Sequence, residues 1–91
     1  MRLYTKKADA NREYGGLRPW LQAKLDLPED VDIRVKDCGM YSNYNIIFTF
    51  PSGEKIECGA YFGFGSSRYY KVTVNNKQRE RMKELVEEMA A

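Results

Sequence analysis

The chain has 91 residues, 43% of them hydrophobic and 31% charged, with a net charge of +2. That length allows one core, burying somewhat over about 60% of the unfolded chain's surface, and that composition excludes global disorder. Histidine is absent and the two cysteines, Cys38 and Cys58, are far apart, so histidine acid–base chemistry and a Cys/His zinc site are both excluded.

Residues 1–16 show no sustained periodicity and end in the breaker pair Gly15-Gly16. They read as an irregular basic arm, with room for a short strand near Leu3-Tyr4, ahead of a single α+β domain over 17–91. In LRPWLQAKLDLP (17–28), Leu17, Trp20, Leu21 and Leu25 fall at helical spacing. Pro19 suits the first turn of a helix, where its missing N–H is not needed, and Pro28 stops it. Trp20 is the expected anchor of this helix on a sheet, because one indole supplies much of a small core.

Alternation then takes over. Val31, Ile33 and Val35 alternate with Asp32, Arg34 and Lys36, which marks a half-buried strand. CGMYSN (38–43) reads as a turn or bulge. Tyr44, Ile46, Phe48 and Phe50 then share one strand face, and Ile56, Cys58, Ala60 and Phe62 share the face of a returning strand. Pro51-Ser52-Gly53-Glu54 between them is a hairpin signal. GFGSS (63–67) interrupts the pattern, and RYYKVTV resumes it with Tyr70, Val72 and Val74 on one face.

The last predicted helix follows, with Asn75 and Gln78 spaced as a capping box and Met82, Leu85, Val86 and Met89 as its apolar stripe. The predicted fold is therefore α+β in two layers. An antiparallel sheet of three to four strands carries an N-terminal and a C-terminal helix on one face, in the order α-β-β-β-(β)-α.

The two cysteines read as reduced, partly buried thiols, although a disulfide between neighbouring strands stays open for a secreted chain. No apolar run approaches the roughly 18 residues of a membrane span, and no signal-peptide core follows Met1. A cytoplasmic protein without membrane attachment is the expectation.

Charge is distributed in blocks: +4 over residues 1–24, −4 over 25–58, +5 over 59–83 and −3 over 84–91. The final helix carries its charges in the unfavourable order. Lys77, Arg79, Arg81 and Lys83 occupy its N-terminal half, and Glu84, Glu87 and Glu88 its C-terminal half. A helix dipole favours the reverse, by about 0.3–1 kcal/mol per exposed charge. A local rule broken without visible compensation marks a candidate functional surface. With Arg68 and Lys71 just upstream, the basic first turns of this helix form a candidate anion site. A solvated amphipathic helix, its cations covering apolar surface with their stems, accounts for the same residues.

Tyrosine is abundant, at seven residues, and Tyr41, Tyr61 and Tyr69 fall on positions that alternate away from the core. Exposed tyrosine beside Arg or Lys suits stacking on bases, suits protein interfaces, and is also ordinary at sheet edges. The candidate partner-binding residues are thus Arg68, Tyr69, Lys71, Lys77, Arg79, Arg81, Tyr61 and Tyr41. The G-x-G within 59–71 matches neither the dinucleotide nor the P-loop fingerprint. Gly63 and Gly65 read as a bend or bulge, or as a loop that offers Ser66, Ser67 and Arg68 to a partner.

The order helix, three strands, helix resembles the double-stranded-RNA-binding domain in element order alone. That family opens its last helix with a glycine-serine-lysine run, whereas RYYKVTV intervenes here after GFGSS, so no RNA-reading residue carries over.

Enzymatic readings lack material. Ser66 and Ser67 have no histidine partner, and no catalytic, metal or cofactor residue is assigned. The expectation is a small non-catalytic protein that acts through a protein–protein surface, one instance being a phage or mobile-element inhibitor that covers the nucleic-acid-binding surface of a host defence nuclease. The alternative is direct nucleic-acid binding through the basic blocks and the exposed tyrosines. Oligomeric state is left open.

Overall fold

The computed structural model describes residues 1–63 and 68–90. It is α+β: a five-stranded, fully antiparallel open sheet with three helices. The elements in chain order are β1 (Arg2–Lys6), α1 (Lys7–Tyr14), α2 (Leu17–Lys24), β2 (Asp32–Met40), β3 (Asn43–Thr49), β4 (Lys55–Phe62), β5 (Tyr69–Thr73) and α3 (Asn76–Ala90). The sheet order is β1-β5-β4-β3-β2, so β1 and β2 are its two edges.

The segment read as an irregular arm holds a strand, at the place near Leu3-Tyr4 where a short one had room, and a helix that the sequence did not suggest. Residues 2–6 form β1, which pairs with β5 from Arg2↔Thr73 to Lys6↔Tyr69. Residues 7–14 form α1, closed by Gly15 at φ 94°, whose N–H donates to the carbonyls of Ala10 and Asn11. Such a left-handed closing residue is the usual role of glycine at a helix end. α1 does not announce itself, because it buries only Ala10. β1 is held by β5, a partner distant in sequence, whereas α1 packs mainly on its chain neighbours α2 and β1.

The other elements follow the alternation read from the sequence. Ile46↔Cys58 and Phe48↔Ile56 pair across the β3–β4 hairpin, and Ala60↔Val72 across β4–β5. Each pair points to the same side of the sheet, because directly opposed residues of an antiparallel ladder share a face. Gly53 takes φ 94° in the β3–β4 connection, where Phe50 and Glu54 close the turn by backbone hydrogen bonds. β2 runs further than the alternation suggested, through an irregularity between Asp37 and Met40, and turns back at Tyr41-Ser42. The run at 64–67, with the expectations attached to Gly65, Ser66 and Ser67, lies outside the described residues.

All three helices contribute to one core. Trp20, Leu21 and Leu25 from α2 and its C-terminal end, Met82 and Leu85 from α3, and Ala10 from α1 join the inward-facing strand residues. Trp20 is 1% exposed and lies 6.4 Å, ring to ring, from Tyr70. The capping box forms at α3: Gln78 N–H donates to Asn75 Oδ1 at 2.7 Å, and Asn75 N–H donates to Gln78 Oε1 at 3.1 Å. Among the described residues no helix is long and apolar enough to cross a membrane.

The cysteines are unpaired. Cys58 points into the core, and burial, with a smaller contribution from neighbouring Glu57, pushes its thiol up to about 11. Cys38 is exposed on β2. Because the reactive species is the thiolate, a disulfide-exchange reagent at pH 8 is expected to titrate one thiol in the folded protein and two in denaturant. Two fast-reacting thiols without denaturant would contradict this placement of Cys58. A raised folded-state value stabilises the fold below the unfolded thiol's pKa, and that stabilisation is lost as pH rises from about 9 towards 11.

Candidate functional site

Since the helices all pack on one side, the other side of the sheet is left uncovered. The register fixes which side chains occupy it. One row across the strands reads Arg2, Thr73, Gly59, Asn45, Lys36. The next reads Tyr4, Lys71, Tyr61, Asn43, and a third adds Lys6 and Tyr69. Successive rows lie about 7 Å apart along the strands and neighbouring strands about 4.8 Å apart. Among the described residues, acids enter this face from the next row on, at Glu57 with Lys55 on β4 and Asp32 with Arg34 on β2.

Tyr4, Tyr61 and Tyr69 surround Lys71. Tyr4 and Tyr61 flank it within its own row, and Tyr69 touches both, with ring centroids 5.4 Å from Tyr4 and 6.0 Å from Tyr61. Tyr4 is 59% exposed and Tyr61 40%. Tyr69 packs against Gly63. A Cβ added there would clash with the Cδ1–Cε1–Cζ edge of the ring, so glycine is what lets the ring settle. Gly63 N–H also donates to Tyr69 O at 3.0 Å, closing the end of the β4–β5 pairing.

Beside this cluster Gly59 faces outward with no side chain, and the missing Cβ leaves open space. The result is a depression of about 300 Å³, lined among others by Asn43, Asn45, Tyr61, Lys71 and Thr73. Asn45 Nδ2 donates to Glu57 Oε2 at 3.0 Å, and Asn43 Nδ2 donates to the Tyr41 carbonyl at 3.1 Å.

The candidate residues named from the sequence separate into two groups. Tyr61, Tyr69 and Lys71 meet on the open face, with Arg68 exposed at its margin where β5 begins. Arg68 and Lys7 also border a second cavity of about 290 Å³, lined by Tyr44, Phe62, Tyr69 and Tyr70. Tyr41 stands apart, 95% exposed at the tip of the β2–β3 hairpin. Lys77, Arg79 and Arg81 lie on α3, in the opposite layer from Lys71. The anion site that would join the α3 cations to Lys71 is therefore not assembled.

Two of those α3 cations have structural partners. Arg81 donates through Nε and Nη2 to both carboxylate oxygens of Glu54, each at 2.7 Å, and through Nη1 to Glu84 at 2.9 Å. The Arg81 hydrogen bond holds the Glu54 carboxyl below the usual range, and Glu54, then Glu84, push the guanidinium further up. Arg79 donates to the Leu25 carbonyl at 2.7 Å, at the C-terminal end of α2, where the helix dipole favours a cation. The inverted charge order of α3 is thus compensated by the β3–β4 turn and by the end of α2.

Sequence reasoning missed Arg2, Tyr4, Lys6 and Lys36. The signal was present in part, since Arg2-x-Tyr4-x-Lys6 repeats the spacing of Tyr69-x-Lys71-x-Thr73. What the sequence lacked was any sign that β1 pairs with β5. Comparison of the chain with protein-family models, with curated proteins and with solved structures finds no match.

Proposed function

We propose that this is a non-catalytic binding protein whose interface is the open face of the sheet, and that its partner is single-stranded nucleic acid. The observation that carries this reading is the grouping of three contiguous tyrosines with Arg2, Lys6, Lys36 and Lys71, the nearest described acid being Glu57 in the adjoining row, bonded to Asn45. Phosphates need the cations, and unstacked bases need flat rings that accept any base. Paired bases present no free faces, so single strands are favoured over duplexes. Two unpaired thiols suit a reducing, cytoplasmic setting.

The test is a titration of labelled single- and double-stranded DNA and RNA at low and near-physiological salt. The expected result is tighter binding to single strands, with affinity falling steeply in salt at a slope of about −0.7 per phosphate neutralised. Equal or tighter duplex binding, or none to any probe, would sink the proposal.

A protein partner is the second reading, and Tyr41 at the hairpin tip is what favours it, since exposed tyrosine is enriched at interfaces. A basic sheet face fits an acidic protein surface. An inhibitor that covers a nuclease's nucleic-acid-binding surface would instead need an acidic face, which these rows do not offer. Capture of a protein by the parent but not by Tyr41→Ala would favour this reading.

A further inference from the structure

We infer that the depression over Gly59 is a subsite for one nucleobase, selective for bases that carry an exocyclic amine. This rests on the single-strand reading above and adds to it a place where sequence would be read. Rings alone bind every base about equally, because every base has a π-face. Selectivity needs hydrogen-bonding groups beside the rings, and the open face has them in one spot.

The depression is small, at about 300 Å³. That is the lower end of the roughly 300–1,000 Å³ range of ligand pockets, room for one ring system rather than a whole cofactor. Its location follows from the register: Gly59 sits between Thr73 on β5 and Asn45 on β3, one row from Tyr61 and Lys71. The tyrosine series Tyr4, Tyr69, Tyr61 runs towards it. A strand stacked along those rings would bring its next base over Gly59, with Lys71 between Tyr4 and Tyr61 to meet the phosphate.

The chemistry of the rim sets the preference. Asn43 and Asn45 each have the amide nitrogen engaged, to the Tyr41 carbonyl and to Glu57. Those bonds fix both amides and leave each Oδ1 with no described donor, an acceptor beside the depression. Lys71 and Thr73 supply donors on the opposite side. Two fixed acceptors match the amines of cytosine, adenine and guanine. Uracil and thymine offer only one donor, the N3–H, flanked by two carbonyl oxygens that would oppose the second acceptor, so they gain at most one of the two bonds.

Gly59→Val tests this directly. Gly59 is not at positive φ and its added Cβ meets nothing within 4 Å, so valine fits the backbone and fills the depression. Strand propensity also rises with the change, and an unchanged or higher Tm would establish that the fold is intact. The probes are labelled oligo-rC, oligo-rA and oligo-rU of equal length, titrated against parent, Gly59→Val and Tyr69→Ala.

The parent should bind oligo-rC or oligo-rA about tenfold more tightly than oligo-rU, the worth of one or two hydrogen bonds. Gly59→Val should lose that preference and keep salt-dependent binding to all three, while Tyr69→Ala should weaken all three alike. If Gly59→Val binds each oligomer as the parent does, or the parent shows no preference or favours oligo-rU, the subsite is refuted and the stacking face stands. Failure of the parent to bind any oligomer at low salt would refute both.

Discussion

Reversing Arg2, Lys6 and Lys71 to glutamate together is expected to abolish single-strand binding at near-physiological salt without unfolding the protein. All three are exposed on the open sheet face, and none takes part in a described ion pair or side-chain hydrogen bond. Their removal should flatten the dependence of log K on log salt by about 2, at roughly 0.7 for each phosphate that no longer meets a cation. Residual binding at low salt should come from stacking on Tyr4, Tyr61 and Tyr69. A variant with parental affinity and parental salt slope would rule this face out as the interface. Arg79 and Arg81 are unsuitable for such a test. Their reversal would place an acid against the end of α2 and against Glu54, and any weakened binding would be confounded with weakened stability.

Trp20→Ala is expected to have the largest effect on stability. The indole is 1% exposed, and it joins α2 to the inner face of the sheet beside Tyr70. Truncating a buried tryptophan costs about 3–5 kcal/mol, out of the roughly 5–15 kcal/mol that a typical small domain has in total. For a chain of this size, that corresponds to a fall in Tm of roughly 12–40 °C. A thermal melt monitored by circular dichroism would show it. A fall of only a few degrees would mean that the core closes over the gap or that Trp20 does not hold α2 in place. The open face should be indifferent to this change until the fold itself is lost, because Trp20 lies on the other side of the sheet.

Much of the architecture was legible before any coordinate. The alternation of Ile46, Phe48, Ile56, Cys58, Val72 and Val74 is a property of the strands themselves: side chains two residues apart must share a face. The same local rule put Tyr61 and Tyr69 on the outside. The Asn75–Gln78 cap and the Gly53 turn were equally readable, because each is closed by residues within a few positions of one another.

Tertiary structure decided the rest. β1 exists because β5 is there to pair with it, a partner some seventy positions away that no local pattern encodes. With β1 in place, Arg2, Tyr4 and Lys6 extend a surface of which the sequence showed only Tyr61, Tyr69 and Lys71. The reversed charges of α3, the feature that most suggested a binding surface, are accounted for by partners 27 and 54 positions away, Glu54 for Arg81 and Leu25 for Arg79. Alternation and helical spacing are set by bond geometry within the chain, so the sequence alone determined which side chains share a face. Which faces meet, and which charges find partners, depends on loop closures between distant segments, and only the folded sheet decided those.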